Sequence, residues 1–181
     1  VLDWHSGAPM AGARCQFGLR STSGLPSWDT INVAISDVDG RFTLEGVPAS
    51  AIAVECKSDD IQIIPGGASL ALTEGQVGSV EVALVERSAQ SPGLFGADFD
   101  TTAFLGARIV LVQPHTPADR AGLRAGDLIA TVDGRSVASV MPYVVGALIV
   151  DHGPGAEVRV GIVRNGAQST VSLVLGPPIA Y

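Results

Sequence analysis

The sequence predicts a mainly β protein in two parts: a small β-sandwich in the first half, then a second β-rich unit that carries two helices. Three observations carry this. Apolar residues make up 46% of the 181 positions while aromatics are only 5%, so the core must be built of Val, Ile, Leu and Ala. The 22 Gly and 11 Pro place turns at high frequency, which favours short strands over helical bundles. Several strand-like runs of the first half alternate with a period of two, as expected for sheets with one buried face, and no helical period of useful length appears. The length suits one large or two small domains, and either can bury a core.

In the first half the strongest strand-like runs are 14–19, 30–36, 41–44, 51–56 and 79–85. Short strands with frequent turns read as a small sandwich. Asp39-Gly40 is expected to supply the positive-φ positions of a tight hairpin, after which Phe42 and Leu44 point inward together. Asp37-x-Asp39-Gly40 also has the look of a calcium loop, but that motif needs further oxygen ligands and a Glu at its twelfth position, where this chain has Pro48; turn chemistry is the expected role. Cys15 and Cys56 are the only cysteines and sit in separate runs. Either they form one disulfide in an oxidising compartment or they are two buried free thiols, and the sequence leaves both open. The chain begins at Val1, inside a strand-like run and without an initiator Met, so it is expected to be a fragment with any signal or anchor upstream.

Gly7-Ala-Pro-Met-Ala-Gly-Ala-Arg14, followed by Ser36-Asp-Val-Asp-Gly-Arg-Phe-Thr-Leu-Glu-Gly-Val-Pro48, resembles the carboxypeptidase-regulatory-like (transthyretin-like) sandwich, with the second segment as the specific part. The resemblance covers most of residues 1–87. Met10 stands where that family usually has Val, and residues 21–29 form a longer polar insert.

Residues 86–93 are short and polar and end in Pro-Gly, which places a linker at 88–92 between domains at 1–87 and 93–181. Beyond it comes Gly93-Leu-Phe-Gly-Ala-Asp-Phe99, a Gly-bearing loop running into a strand, and then a strand at 108–113. Thr116 is a good helix N-cap, Pro117 fits the first turn, Asp119 complements the helix N-terminus, and Gly122 ends a helix of little more than one turn. A turn, a strand and a second turn at Asp133-Gly134 follow. A longer helix runs from about Pro142 to Asp151 and is stopped by Gly153-Pro154, and a hairpin closes at Asn165-Gly166. The stretch Pro114-His-Thr-Pro-Ala-Asp-Arg-Ala-Gly-Leu-Arg-Ala-Gly-Asp-Leu-Ile-Ala-Thr-Val-Asp-Gly-Arg-Ser-Val137, in this order with the earlier loop and later hairpin, resembles a PDZ domain of the bacterial type over about residues 91–176. That resemblance implies a partly open β-barrel with two helices.

It also implies a groove. In the family, a loop here occupied by Leu94, Phe95, Gly96 and Ala97 aims backbone N–H groups at a peptide's terminal carboxylate, and glycine lets the anion approach without a Cβ in the way. The ligand then adds as a strand beside residues 97–99, ending at Phe99. Opposite lies the longer helix, apolar on all sides. At 100° per residue Val144 and Leu148 share one face, while Pro142, Gly146 and Val150 share another, which borders the ligand together with Ile149. Ala97 is small, Gly146 has no side chain and no Arg or Lys immediately precedes the loop. A shallow pocket follows, or one that takes an internal segment instead of a terminus.

Enzymatic chemistry is not in view. His5, His115 and His152 are scattered without metal-ligand spacing, and neither a nucleophile elbow nor a phosphate loop is present, so no catalytic residue, metal or cofactor is expected. His152 reads as a cation at a helix end, and Asp98 and Asp100 as solvent-facing charge along a strand. Formal charge is −7, from 18 acidic against 11 basic residues, with the excess acid before Ser88, so nucleic acid and anionic membrane surfaces are unsuitable partners. No run is long enough for a transmembrane helix. The expected protein is a non-catalytic peptide- or protein-binding part of a bacterial envelope or secreted protein, periplasmic or extracellular and anchored, if at all, through another segment. Its rivals are the regulatory part of an envelope protease and an adaptor whose groove holds its own tail, residues 176–181. Carbohydrate binding would rest on Trp4 and Trp28 alone and is disfavoured.

Overall fold

The computed structural model describes residues 1–20, 26–87, 91–101, 106–137 and 140–178. The chain divides into two compact units, Val1–Arg87 and Ser88–Tyr181. The expected linker falls largely on residues 88–90, which lie outside the described residues, as does most of the polar insert at 21–29, whose last residues run into a strand.

In the first unit, β1 (Leu2–Asp3), β2 (Arg14–Arg20), β3 (Pro26–Ile35), β4 (Ala51–Lys57), β5 (Ile63–Ile64), β6 (Gly66–Ala71) and β7 (Ala83–Glu86) form two sheets. One is antiparallel in the order β3-β2-β4-β6, and the other has the order β1-β7-β5, with β1 parallel to β7. Alternate residues Ile52, Val54 and Cys56 of β4, with Cys15 of β2 and Ala68 of β6, pack with Val82 and Leu84 in one buried cluster, so the two sheets share a core. Cys15 and Cys56 stand directly opposite in the β2–β4 register and are bonded, with an S–S distance of 2.07 Å.

Two expected strands differ. Residues 41–44 join no ladder, and of 79–85 only the end enters β7. The reason lies at Asp37. Its Oδ1 accepts the backbone N–H groups of Asp39 (2.9 Å) and Arg41 (2.8 Å), which is an Asx-type turn. Only Gly40 of the Asp39-Gly40 pair has positive φ, at 71°, so a two-residue hairpin does not form. Phe42 and Leu44 still pack against the core while Arg41, Thr43 and Glu45 are exposed; the alternation survives without the ladder.

The second unit comprises β8 (Ala97–Phe99), β9 (Ala107–Val112), α1 (Pro117–Arg120), β10 (Leu128–Val132), β11 (Arg135–Ser136), α2 (Pro142–Val150), β12 (Glu157–Arg164) and β13 (Ala167–Val174). Their sheet is antiparallel, in the order β13-β12-β10-β9-β8, with β11 paired to β10. Its two ends meet where Leu94 N–H donates to Gly176 O (2.9 Å) and Gly176 N–H donates to Leu94 O (3.0 Å), giving a partly open barrel. Asp133-Gly134 (φ 48° and 82°) and Asn165-Gly166 (φ 52° and 81°) are both-positive pairs, as type I′ hairpins demand. α1 starts at its N-cap Thr116 with Pro in the first turn. α2 buries Val144, Val145, Leu148 and Ile149 in the core.

One ion pair ties this unit together. Asp127, 1% exposed, accepts Arg164 Nε (2.6 Å) and Nη2 (2.7 Å) and the Arg124 N–H (2.9 Å), and the same guanidinium reaches Gly122 O (2.8 Å). The bond from Arg164, with that from Arg124, holds the Asp127 carboxyl below its ordinary value despite burial. Its contribution is therefore present above the ordinary carboxylate pKa near 3.8 and lost as pH falls through the depressed value. Asp127→Asn should lower stability at pH 7 by about 2 kcal/mol, the worth of a hydrogen bond to a charged group, and flatten the acid limb below pH 4. Hydrogen exchange of peptides spanning residues 107–164, followed from pH 7 to pH 3, checks both.

Candidate functional site

β8 is an edge strand, and the register of its pairing with β9 decides which backbone groups it leaves free. Gln113 N–H donates to Gly96 O (2.9 Å), so Ala97 and Val112 form a non-hydrogen-bonded pair, and the N–H and C=O of Ala97 point away from β9. Asp100 N–H to Arg108 O (2.9 Å) does the same for the Phe99–Ile109 pair beyond an irregularity in register. Ala97 and Phe99 thus both offer backbone bonding groups on the open side.

The loop ahead of β8 is fixed by its carbonyls. Ala118 N–H bonds Phe95 O (3.0 Å), and Gly96 O receives Gln113 N–H, with Thr116 Oγ1 3.3 Å away. The N–H groups of Phe95 and Gly96 bond no described group. Leu94 N–H is already spent on Gly176 O, so the free donors at this end are those of Phe95, Gly96 and Ala97. Gly96 has φ 84°, and a Cβ there would sit 2.2 Å from Thr116 Cβ; the loop needs glycine for its own packing, whatever it binds.

Between β8 and α2 runs a cleft of about 490 Å³. Leu94, Phe95, Gly96, Ala97 and Phe99 line one wall, and Tyr143, Gly146 and Val150 the other. Phe95, 3% exposed, stacks on Phe99 with centroids 6.1 Å apart, so the first ring is mostly core and the second forms wall. Gly146 keeps the cleft open: a Cβ added there would lie 3.3 Å from the Phe99 ring. Gly93, Asp98, Thr101 and Gln113 complete the described lining.

Two expected residues are elsewhere. Pro142 and Ile149 are buried, the latter completely, and do not line the cleft. On the helical wheel Pro142 and Ile149 flank Gly146 at about −40° and −60°, Tyr143 and Val150 at about +60° and +40°. The sequence gives the two flanks equal standing, and packing of α2 on the core covers the first. Tyr143, missed from the sequence, is three residues before Gly146, and that spacing was the available signal.

The remaining residues weighed from the sequence have structural places. His152 Nδ1 lies 2.9 Å from Leu148 O and Nε2 2.7 Å from Asp133 Oδ2, at the end of α2. His115 N–H donates to Asp119 Oδ2 (2.8 Å). Trp4 is 7% exposed and offers no stacking face, while the Trp28 side chain lies outside the described residues. Among the described residues no group of three His, Cys, Asp or Glu could hold a metal, and no helix is long and apolar enough to cross a membrane. Pro177 and Pro178 are exposed, and residues 179–181 lie outside the described residues.

A free strand edge facing a helix across a cleft, on a partly open barrel, defines the class of this unit. The PDZ domain family matches residues 75–175, more than half of the chain, and the chain belongs to that family. The match begins ahead of Arg87, within the first unit. The chain is similar to the Magnetosome formation protease MamE of Paramagnetospirillum magneticum, 38% identical over 118 residues, covering 65% of this chain and 15% of that protein. A probable periplasmic serine endoprotease, DegP-like, of Marinomonas sp. is 39% identical over 72 residues, covering 39% of this chain and 14% of its own. The chain therefore spans about one seventh of the length of these relatives. The solved serine endoprotease of Yersinia pestis aligns with 99% of this chain and 67% of its own at 15% identity and a TM-score of 0.42.

Proposed function

We propose that the second unit binds the C-terminus or an extended segment of a protein partner by adding it as a strand to β8. PDZ domains bind peptides in this way. The observation that carries the reading is the run of N–H groups at Phe95, Gly96 and Ala97 that bond no described group, at the loop end of a cleft whose edge strand keeps further groups free. Those donors suit a carboxylate, and the β8 edge suits a peptide backbone. Leu94, Phe95, Gly96, Ala97, Phe99, Tyr143, Gly146 and Val150 form the site in this reading.

The names of the relatives favour one setting over the others: the peptide-binding, regulatory part of a bacterial envelope protease whose catalytic groups lie in other segments. This chain then contributes no catalytic residue. The Cys15–Cys56 bond fits an oxidising compartment such as the periplasm. In the same proposal the first unit is a carboxypeptidase-regulatory-like sandwich serving as spacer or docking domain. Its two sheets around one core and the 36–48 segment support that assignment.

The test is fluorescence anisotropy with a library of fluorescein-labelled decapeptides bearing free C-termini. The tightest binder should lose at least about tenfold in affinity when its carboxylate is amidated, the scale of one or two charge-assisted hydrogen bonds. Gly146→Leu should do the same by filling the cleft while leaving the melting temperature within a few degrees, since leucine is the better helix former. Equal binding after both changes would remove the groove as the site.

A further inference from the structure

We infer that Asp98 makes the cleft selective for a ligand with lysine or arginine as its penultimate residue. This rests on the reading of the cleft as a strand-adding peptide site. A carboxylate held by the N–H groups of Phe95 and Gly96 lies at the start of β8, so the bound chain must run antiparallel to that strand. Its last residue then pairs with Ala97 and its third-last with Phe99, because these two residues of β8 turn their N–H and C=O toward the open edge. The penultimate residue falls opposite Asp98.

Side chains alternate across a strand, so neighbours paired in register share a face. Phe99 turns its ring toward Gly146 of α2, on the cleft side. Asp98 therefore points to the other face, and so does the penultimate ligand residue, directly beside it. Asp98 is exposed, and its carboxylate bonds no described group. Across β9 its register partner Leu111 is 52% exposed, extending that face with an apolar surface over which a long aliphatic stem can lie. Charge and stem together match lysine or arginine. They disfavour aspartate or glutamate, since like charges directly opposite on a sheet repel.

The experiment takes the tightest free-carboxylate decapeptide from the library and varies only its penultimate residue among Arg, Ala and Glu. Binding is measured to the whole chain and to its Asp98→Asn and Asp98→Lys variants. An exposed pair of this kind contributes little in absolute terms, so arginine should exceed glutamate by about fivefold in affinity at low salt, and by less in 0.5 M NaCl. The preference should fall within twofold in Asp98→Asn and reverse in Asp98→Lys, with melting temperatures unchanged because the side chain is exposed. Carboxylate-dependent binding without the preference, or with a preference indifferent to position 98, overturns the inference and leaves the groove reading intact. If no peptide shows carboxylate-dependent, Gly146→Leu-sensitive binding, both fall together.

Discussion

Removing the Cys15–Cys56 bond should lower the stability of the Val1–Arg87 unit by about 4 kcal/mol, the loop-closure value for the 41-residue separation it spans. The bond joins β2 and β4, the two central strands of the four-stranded sheet, and both cysteines are fully buried. A unit of this size has a modest core, so a loss of that order takes a large share of its stability. Both tryptophans of the chain, Trp4 and Trp28, lie in this unit, so tryptophan fluorescence reports its unfolding alone. In urea the midpoint of the Cys15→Ala/Cys56→Ala variant should fall by about 1.3–4 M at the slopes of about 1–3 kcal/mol/M usual for small domains. Wild-type protein in reducing agent should follow the same curve. Oxidised and reduced curves within 1 kcal/mol of each other would show that the sheets hold without the bond.

Gly96→Val should unfold the second unit or destabilise it by about 2–6 kcal/mol. Two costs add. A β-branched residue at φ 84° is held in the left-handed region, costing about 1–3 kcal/mol. Its Cβ would also sit 2.2–2.5 Å from Cβ, Oγ1 and Cγ2 of Thr116, and overpacking a filled site costs about 1–3 kcal/mol. Thr116 cannot yield freely, because it is the N-cap of α1 and its Oγ1 donates to Gln113 O (2.6 Å). The measurement is hydrogen exchange over residues 107–164, in which the variant should lose protection with or without peptide present. Protection equal to wild type would mean the loop tolerates a side chain. Loss of binding in any Gly96 variant is therefore no measure of carboxylate recognition; Gly146, on the open side of α2, is the residue to change for that purpose.

The second unit was more legible than the first because its signals are local. Thr116-Pro117 caps α1, Pro142 and Gly153 bracket α2, and Asp133-Gly134 and Asn165-Gly166 make their turns from two adjacent residues, all within a few positions of sequence. The first unit shows the limit of the same reasoning. Asp39-Gly40 has the same dipeptide as Asp133-Gly134, yet the Asp37 carboxylate two residues earlier bonds the Asp39 and Arg41 N–H groups and sets a different turn. The strand expected at 41–44 is lost with it, although the inward alternation of Phe42 and Leu44 holds.

The sequence by itself determined the mainly β composition, the cap of α1, the bounds of both helices and the turn at Asp133-Gly134. These follow from side-chain size, backbone φ preferences and hydrogen-bonding groups close along the chain, whereas the loop at residues 94–97 was marked as a place to look for a site by the resemblance to the PDZ family. Tertiary structure alone decided the rest. Strand register brought Cys15 opposite Cys56, and sheet packing brought Arg164 onto Asp127 from 37 residues away. The core claimed Pro142 and Ile149 and left Tyr143 and Val150 to the cleft. The pairing of β8 with β9 turned the backbone of Ala97 and Phe99 outward. Each depends on which surfaces meet in space, and no local pattern of residues encodes that meeting.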